Sequence, residues 1–172
     1  LLRLEYGLSF AHPDNNGRLN IGVGPGGTVR GSALEMQLAP APLVNRFSPM
    51  ELVTSGMLNI SLASFEIENG QLQELIGTAD WQAAAIESPL VLPLGDIGLR
   101  LENNADTIIG TVVEGGELGL SGDIVLAPAG RYDVDLLLPP ADSVDAATRN
   151  LLASMMQANT SGDYILKTTG SF

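Results

Sequence analysis

The sequence contains no cysteine, which excludes disulfides, thiol catalysis and cysteine-based zinc sites together. Its one histidine, His12, rules out any metal centre with two imidazole ligands. Basic residues are scarce. Eight Lys+Arg, among them the single lysine Lys167, stand against 20 Asp+Glu, for a net charge of -12. Nucleic acid is thereby excluded as a partner, because phosphate binding needs clustered Lys and Arg. Docking on anionic lipid headgroups through a basic patch is excluded on the same ground. No stretch approaches the roughly 18 consecutive apolar residues of a membrane-spanning helix. No signal peptide is recognisable, and an opening at Leu1 is what a processed or truncated chain would show.

What is present is apolar and glycine-rich: 45% hydrophobic residues, only 16% charged, and 20 glycines. Disorder is not compatible with that much apolar surface. The 172 residues suit one domain or two small ones. Period-2 alternation dominates the chain. In Glu117–Leu126 one face reads Leu118, Leu120, Gly122, Ile124, Leu126; in Arg131–Leu138, Tyr132, Val134, Leu136 and Leu138 oppose Arg131, Asp133, Asp135 and Leu137. Such runs place one face on a core or groove and the other in water. Pro128-Ala129-Gly130 joins the two as a β-hairpin. Similar runs lie at Leu4–Phe10, Leu19–Val23, Leu34–Leu38, Met57–Phe65, Leu75–Ile86, Ile97–Glu102, Thr107–Val113 and Asp163–Gly170. Turns are expected at Asp14–Gly17, Glu68–Gly70, Asn103-Asn104 and Gly115-Gly116. About ten short strands predict a mainly β protein, either a curved antiparallel sheet or two packed sheets.

One segment departs from this pattern. Asp142–Gln157 sets Val144, Thr148, Leu151, Leu152, Met155 and Met156 near helical spacing, with Asp142 as cap, Asp145 in the first turn, and Asn159 with Gly162 as the stop. A shorter helix is expected at Ala41–Phe47. Strand, helix, Ser-Gly and strand recur in that order in both parts, so a single β-rich domain (1–172) with two related halves, 1–70 and 71–172, is the expected organisation.

Motifs with chemical content are few. Gly22-Val23-Gly24-Pro25-Gly26-Gly27 has the Gly-x-Gly-x-x-Gly form of dinucleotide sites, but Thr28–Leu38 after it reads as strand where that chemistry needs a helix N-terminus. A glycine-rich hairpin loop is expected instead. His12 precedes Pro13 in a turn, and Gly119-Leu120-Ser121-Gly122-Asp123 misses the last glycine of a nucleophile elbow. The acid pairs Asp133/Asp135 and Asp142/Asp145 could serve glycosidase or calcium chemistry in principle. Asp133 and Asp135 share the polar face of a strand, and solvation accounts for them. Asn59-Ile60-Ser61 and Asn159-Thr160-Ser161 are formal glycosylation sequons only. No catalytic, cofactor or metal residues emerge, so a non-enzyme without a cofactor is expected.

The succession Gly77-Thr78-Ala79-Asp80-Trp81, Pro93–Ile97, Leu99–Glu102, Gly115–Gly122, Gly130–Val134, Asn150–Met156 and Gly162–Leu166 with Gly170 resembles protein N of the bacterial type II secretion system, over residues 56–172. The first 50 residues match by general character. The resemblance implies a β-rich periplasmic body, a single inner-membrane anchor and a cytoplasmic stub upstream of Leu1, and accessory contacts with other secretion components. It carries over no catalytic residues. In character the chain is also similar to large periplasmic proteins that shuttle lipids along β-lined grooves. A phospholipid-binding module is therefore the alternative, with Leu118, Leu120, Ile124, Leu126, Tyr132, Val134 and Leu136 lining an aliphatic groove. Against it, the Leu151/Leu152/Met155/Met156 stripe is expected to pack on those residues and close the core.

Overall fold

A computed structural model describes residues 4–12, 15–47, 51–89, 91–139 and 146–171. Eleven strands run β1 (Leu4–His12), β2 (Asn15–Val23), β3 (Val29–Leu38), β4 (Val53–Glu68), β5 (Gln71–Ser88), β6 (Leu92–Asn104), β7 (Thr107–Gly115), β8 (Ser121–Leu126), β9 (Arg131–Leu138), β10 (Gln157–Ala158) and β11 (Tyr164–Ser171). All join one open antiparallel sheet in the order β1-β2-β3-β4-β5-β6-β7-β8-β9-β11-β10. Of the two layouts the alternation allowed, the single sheet is the one formed. Through β9 every strand pairs with its neighbours in sequence, as a meander.

Two helices interrupt the strands, α1 (Ala41–Phe47) and α2 (Ala146–Met155). The first has the expected bounds. Its Asn45 ties the helix to the approach to β4: the side-chain amide donates to the Leu52 carbonyl at 2.9 Å and accepts from the Leu52 N–H at 2.7 Å. The second ends at Met155, two residues before the expected Gln157. Residues 142–145, with both expected capping acids, lie outside the described residues. The helix closes with Met156 N–H donating to Leu152 O at 2.8 Å, and Gln157 then pairs with Ile165 as strand. Asn159 is not a helix stop. Its Oδ1 accepts from Ser161 and Asp163 N–H at 2.8 and 2.9 Å, and its Nδ2 donates to Asp163 at 2.8 Å, building the β10–β11 turn.

Three other boundaries shift. β8 starts at Ser121, because Gly116 and Gly119 take positive φ (65° and 68°) and turn the chain, placing Leu118 and Leu120 outside the strand. The β6–β7 turn falls at Ala105-Asp106, two residues beyond Asn103-Asn104, with Ala105 at φ 50°. Asn15, Asn16 and Gly17 belong to β2, and His12 pairs with Asn15; residues 13 and 14 lie outside the described residues. Elsewhere the turns stand as read. Asn69-Gly70 joins β4 to β5 with φ of 52° and 77°, a left-handed pair that Asn and Gly tolerate best. Residues 70 and 71, where the two halves would meet, fall at this turn.

Register shows why the sheet is two-faced. Leu34, Leu62, Gly77, Leu101, Gly110, Ile124 and Val134 form one row across β3–β9. One residue along, Glu35, Ser61, Thr78, Arg100, Thr111, Asp123, Asp135 and Lys167 form a row on the opposite face, reaching β11. Alternation thus produces one apolar and one polar face across almost the whole sheet. On the apolar side Leu34, Leu58, Leu62, Ile108 and Val134 are buried. Among the described residues no second sheet lies over them, and the helices touch the sheet at β4 (α1) and at β10 and β11 (α2). Neighbouring side chains on the same face therefore shield one another. Bulges interrupt the β2/β3, β4/β5, β5/β6 and β6/β7 ladders and supply the bends.

A layered core is confined to one corner. Leu92, Leu138 and Leu152 of β6, β9 and α2 pack with Ile86, Leu94, Leu118, Leu120, Met156 and Tyr164. The accessible surface of 10117 Å² exceeds the roughly 8,000 Å² of a compact monomer of this mass. The excess is what a single-layer sheet produces.

Candidate functional site: the two faces of the sheet

The β8–β9 hairpin brings together most of the residues expected to line a groove. Ile124 pairs with Val134, Leu126 with Tyr132, and Gly122 with Leu136, so Ile124, Leu126, Tyr132, Val134 and Leu136 share the apolar face. Leu118 and Leu120 do not join them. They sit in the turn before β8 and pack into the corner cluster that holds α2. Leu152 of the helix therefore packs with Leu92 and Leu138 of the sheet, with Leu118 and Leu120 against that cluster, while Ile124 to Leu136 lie outside it. The side chains of Leu151 and Met155 lie outside the described residues.

The apolar face extends far beyond this hairpin, and its smoothness has a cause that the alternation did not reveal. Phe10 pairs with Gly17, Phe65 with Gly31 and Tyr132 with Gly170. In each pair the aromatic ring occupies the space where a side chain on the glycine would stand. The rings lie across the strand instead of rising from it, a packing that fills the gap a glycine leaves in a sheet. The trace in the sequence is an aromatic and a glycine equidistant from a turn, as Phe10 and Gly17 are about residues 13–14.

The polar face is a set of exposed cross-strand pairs. Arg30 and Glu66 meet in a two-bond fork, Nε to Oε2 at 2.8 Å and Nη2 to Oε1 at 2.9 Å. That hydrogen bond, with the guanidinium charge, holds the Glu66 carboxyl below its ordinary range, and Glu66 raises Arg30 in turn. Arg18 pairs with Glu35 at 2.7 Å and Lys167 with Asp135 at 2.8 Å. Asp123 accepts from the Thr111 hydroxyl at 2.7 Å.

The chemically suggestive motifs are placed as follows. Asp133 and Asp135 lie on the polar face of β9, and Asp135 is engaged by Lys167. Asp142 and Asp145 lie outside the described residues. Gly22–Gly27 ends β2 and makes a tight 3-10 turn at Pro25–Gly27 before β3, with Gly24 N–H donating to Thr28 O at 2.9 Å. A strand follows where a phosphate-binding helix would be needed. His12 ends β1. Asn59 and Asn159 both stand in ordered structure, in β4 and in the β10–β11 turn. Among the described residues no three His, Asp or Glu are placed to hold a metal ion. No described helix is long and apolar enough to cross a membrane.

A family model of the type II secretion system protein N matches residues 1–167. The chain belongs to that family. No curated protein and no solved structure shows a significant match. Membership makes this protein N homologue a component of type II secretion. The match also takes in β1–β3, in the first 50 residues, whose sequence carried the resemblance least. What the protein N fold offers for chemistry is surface: a broad apolar face with one sealed corner, and an acidic polar face.

Proposed function

We propose that this protein N homologue is a non-catalytic accessory component of the secretion machine that works by protein–protein contacts in the periplasm. In the full-length protein an inner-membrane anchor would hold it there, as the family resemblance implies. The observation that carries the reading is the apolar sheet face, which among the described residues meets helix at two places, α1 on β4 and α2 at the Leu92/Leu138/Leu152 corner. An apolar face without a continuous second layer offers a place for a covering partner. Of the carboxylates that could have served an enzyme, Asp133 lies on the polar strand face and Asp135 is ion-paired with Lys167, which supports contact over catalysis. A photo-crosslinking residue at Met36 or Leu101, on the apolar side, should capture other secretion components in cells. The same group at Thr78, on the polar side, should capture fewer. Recovery of no secretion component from either apolar position would overturn the proposal.

The same face supports a second reading, a phospholipid-binding or lipid-transfer module. Ile124, Leu126, Val134 and Leu136 are aliphatic, share one face, and lie beyond the corner that α2 closes. Acyl chains need such a lining and no stacking rings. Native mass spectrometry of gently purified protein should then show co-purified phospholipid, lost in Ile124→Asp. A lipid-free preparation would remove this reading and leave the first intact.

A further inference from the structure

β1 is the terminal strand of the sheet and, among the described residues, bonds only to β2. Its nine residues pair with β2 without a bulge, so its outer edge is long and regular. Tyr6, Leu8 and Phe10 are 52%, 52% and 47% exposed. The strand contains neither proline nor lysine. It therefore lacks the devices that normally blunt an edge. The opposite end of the sheet has them: β10 pairs with the start of β11, and Lys167 stands on β11 itself.

Two features identify what pairs with this edge. The first is charge. Residues 1–50 carry four arginines and three acids, whereas residues 51–172 carry four cations and 17 acids. Two molecules of net charge -12 repel, and they approach at least cost through the end that is almost neutral. The second is self-complementarity. With a two-fold axis at Leu8, antiparallel pairing sets Tyr6 opposite Phe10, Leu8 opposite Leu8 and Gly7 opposite Ser9. The strand's one acid, Glu5, falls opposite position 11, an alanine. No like charges oppose one another, and Leu8 opposite Leu8 is an apolar cross-strand pair of the kind that stabilises neighbouring strands. We infer that β1 pairs with β1 of a second copy, joining two sheets edge to edge with their apolar faces on the same side.

The exposed parts of the three side chains amount to on the order of 300 Å² per copy, less than a permanent interface needs. The dimer is accordingly weak and concentration-dependent. The inference concerns the isolated chain and holds whether or not the secretion contacts proposed above are found.

Absence of native cysteine makes introduced thiols clean reporters. With a short bis-maleimide, Leu8→Cys should form crosslinked dimer at least tenfold more than Val113→Cys, an exposed control on β7. A mixture of Tyr6→Cys and Phe10→Cys should crosslink several-fold more than either alone, since only the mixture brings two thiols opposite each other. Sedimentation of the unmodified chain should show a mass rising with concentration above 18.0 kDa, and Leu8→Lys should hold it at that value. This last measurement stands even if a cysteine variant folds poorly. A concentration-independent monomer, or Leu8→Cys crosslinking no better than the control, would overturn the inference. So would crosslinks in which each variant pairs as well with itself as in the mixture, or capture at Leu8 in cells of another protein and never of a second copy.

Discussion

Gly31 has no room for a methyl group. The Phe65 ring from the adjacent strand lies over it, at the spot a Cβ would need. Gly31→Ala should displace the ring and cost about 1–3 kcal/mol, the range for overpacking a closed site. For a chain of this length that lowers Tm by about 2–4 °C per kcal/mol. Gly7→Ala is the matched control, because the nearest atom to its added carbon would be Asn20 Oδ1 at 3.7 Å. Its Tm should change little, and equal losses in both variants would refute the ring-over-glycine account. A second residue-scale effect is the Arg30–Glu66 fork. The folded carboxyl titrates below the ordinary 4.5, so its contribution is complete above that pH and disappears as pH falls through the lower folded value. Glu66→Gln should therefore lower the urea midpoint at pH 7, and the gap to the parent should close as the solution is acidified past about 4.5. A gap that persists unchanged at pH 3 would contradict the assignment.

Among the described elements, α2 is the helix whose buried leucine joins the sheet's core cluster. Leu152 is its buried anchor, held against Leu92 and Leu138. Leu152→Ala should cost about 2–3 kcal/mol, the lower part of the range for a buried leucine because the corner can relax. The loss should be local. Trypsin cleavage at Arg149, within α2, should accelerate while the far-ultraviolet strand signal stays unchanged; loss of both would mean that the helix supports the whole sheet. This corner also marks where sequence reading gave out. The β8–β9 hairpin was legible because Ile124, Leu126, Tyr132, Val134 and Leu136 alternate strictly on either side of a turn. Leu118 and Leu120 continue the same alternation, yet Gly116 and Gly119 redirect the chain, and alternation carries no information about φ. The choice between one sheet and two was closed to sequence for a related reason. Period 2 says which face a residue takes and says nothing about what lies opposite it. The partnership of Phe65 with Gly31 was hidden too, since it depends on register across a long connection.

At the scale of the whole molecule, stability must pass along the meander as it does along a repeat array. Up to β9 each strand is bonded to its neighbours in sequence, and little else crosses between distant strands. Cooperativity then follows the ladders. β4 and β5 are the longest strands, with 16 and 18 residues, and lie near the middle of the order. At one end β1 is bonded on one side and exposes Tyr6, Leu8 and Phe10. At the other, the corner cluster ties β6 to β9 through α2, so β9 is secured both by its ladder and by the cluster. The two ends should open unequally. Native-state hydrogen exchange in low urea should show protection rising from β1 through β3 to a maximum over β4–β6, with β9 clearly better protected than β1. If all strands instead exchange at one common free energy, the sheet unfolds as a single unit. The opposite gradient, with β9 opening before β1, would mean that the Leu92/Leu138/Leu152 cluster does not hold the second half together.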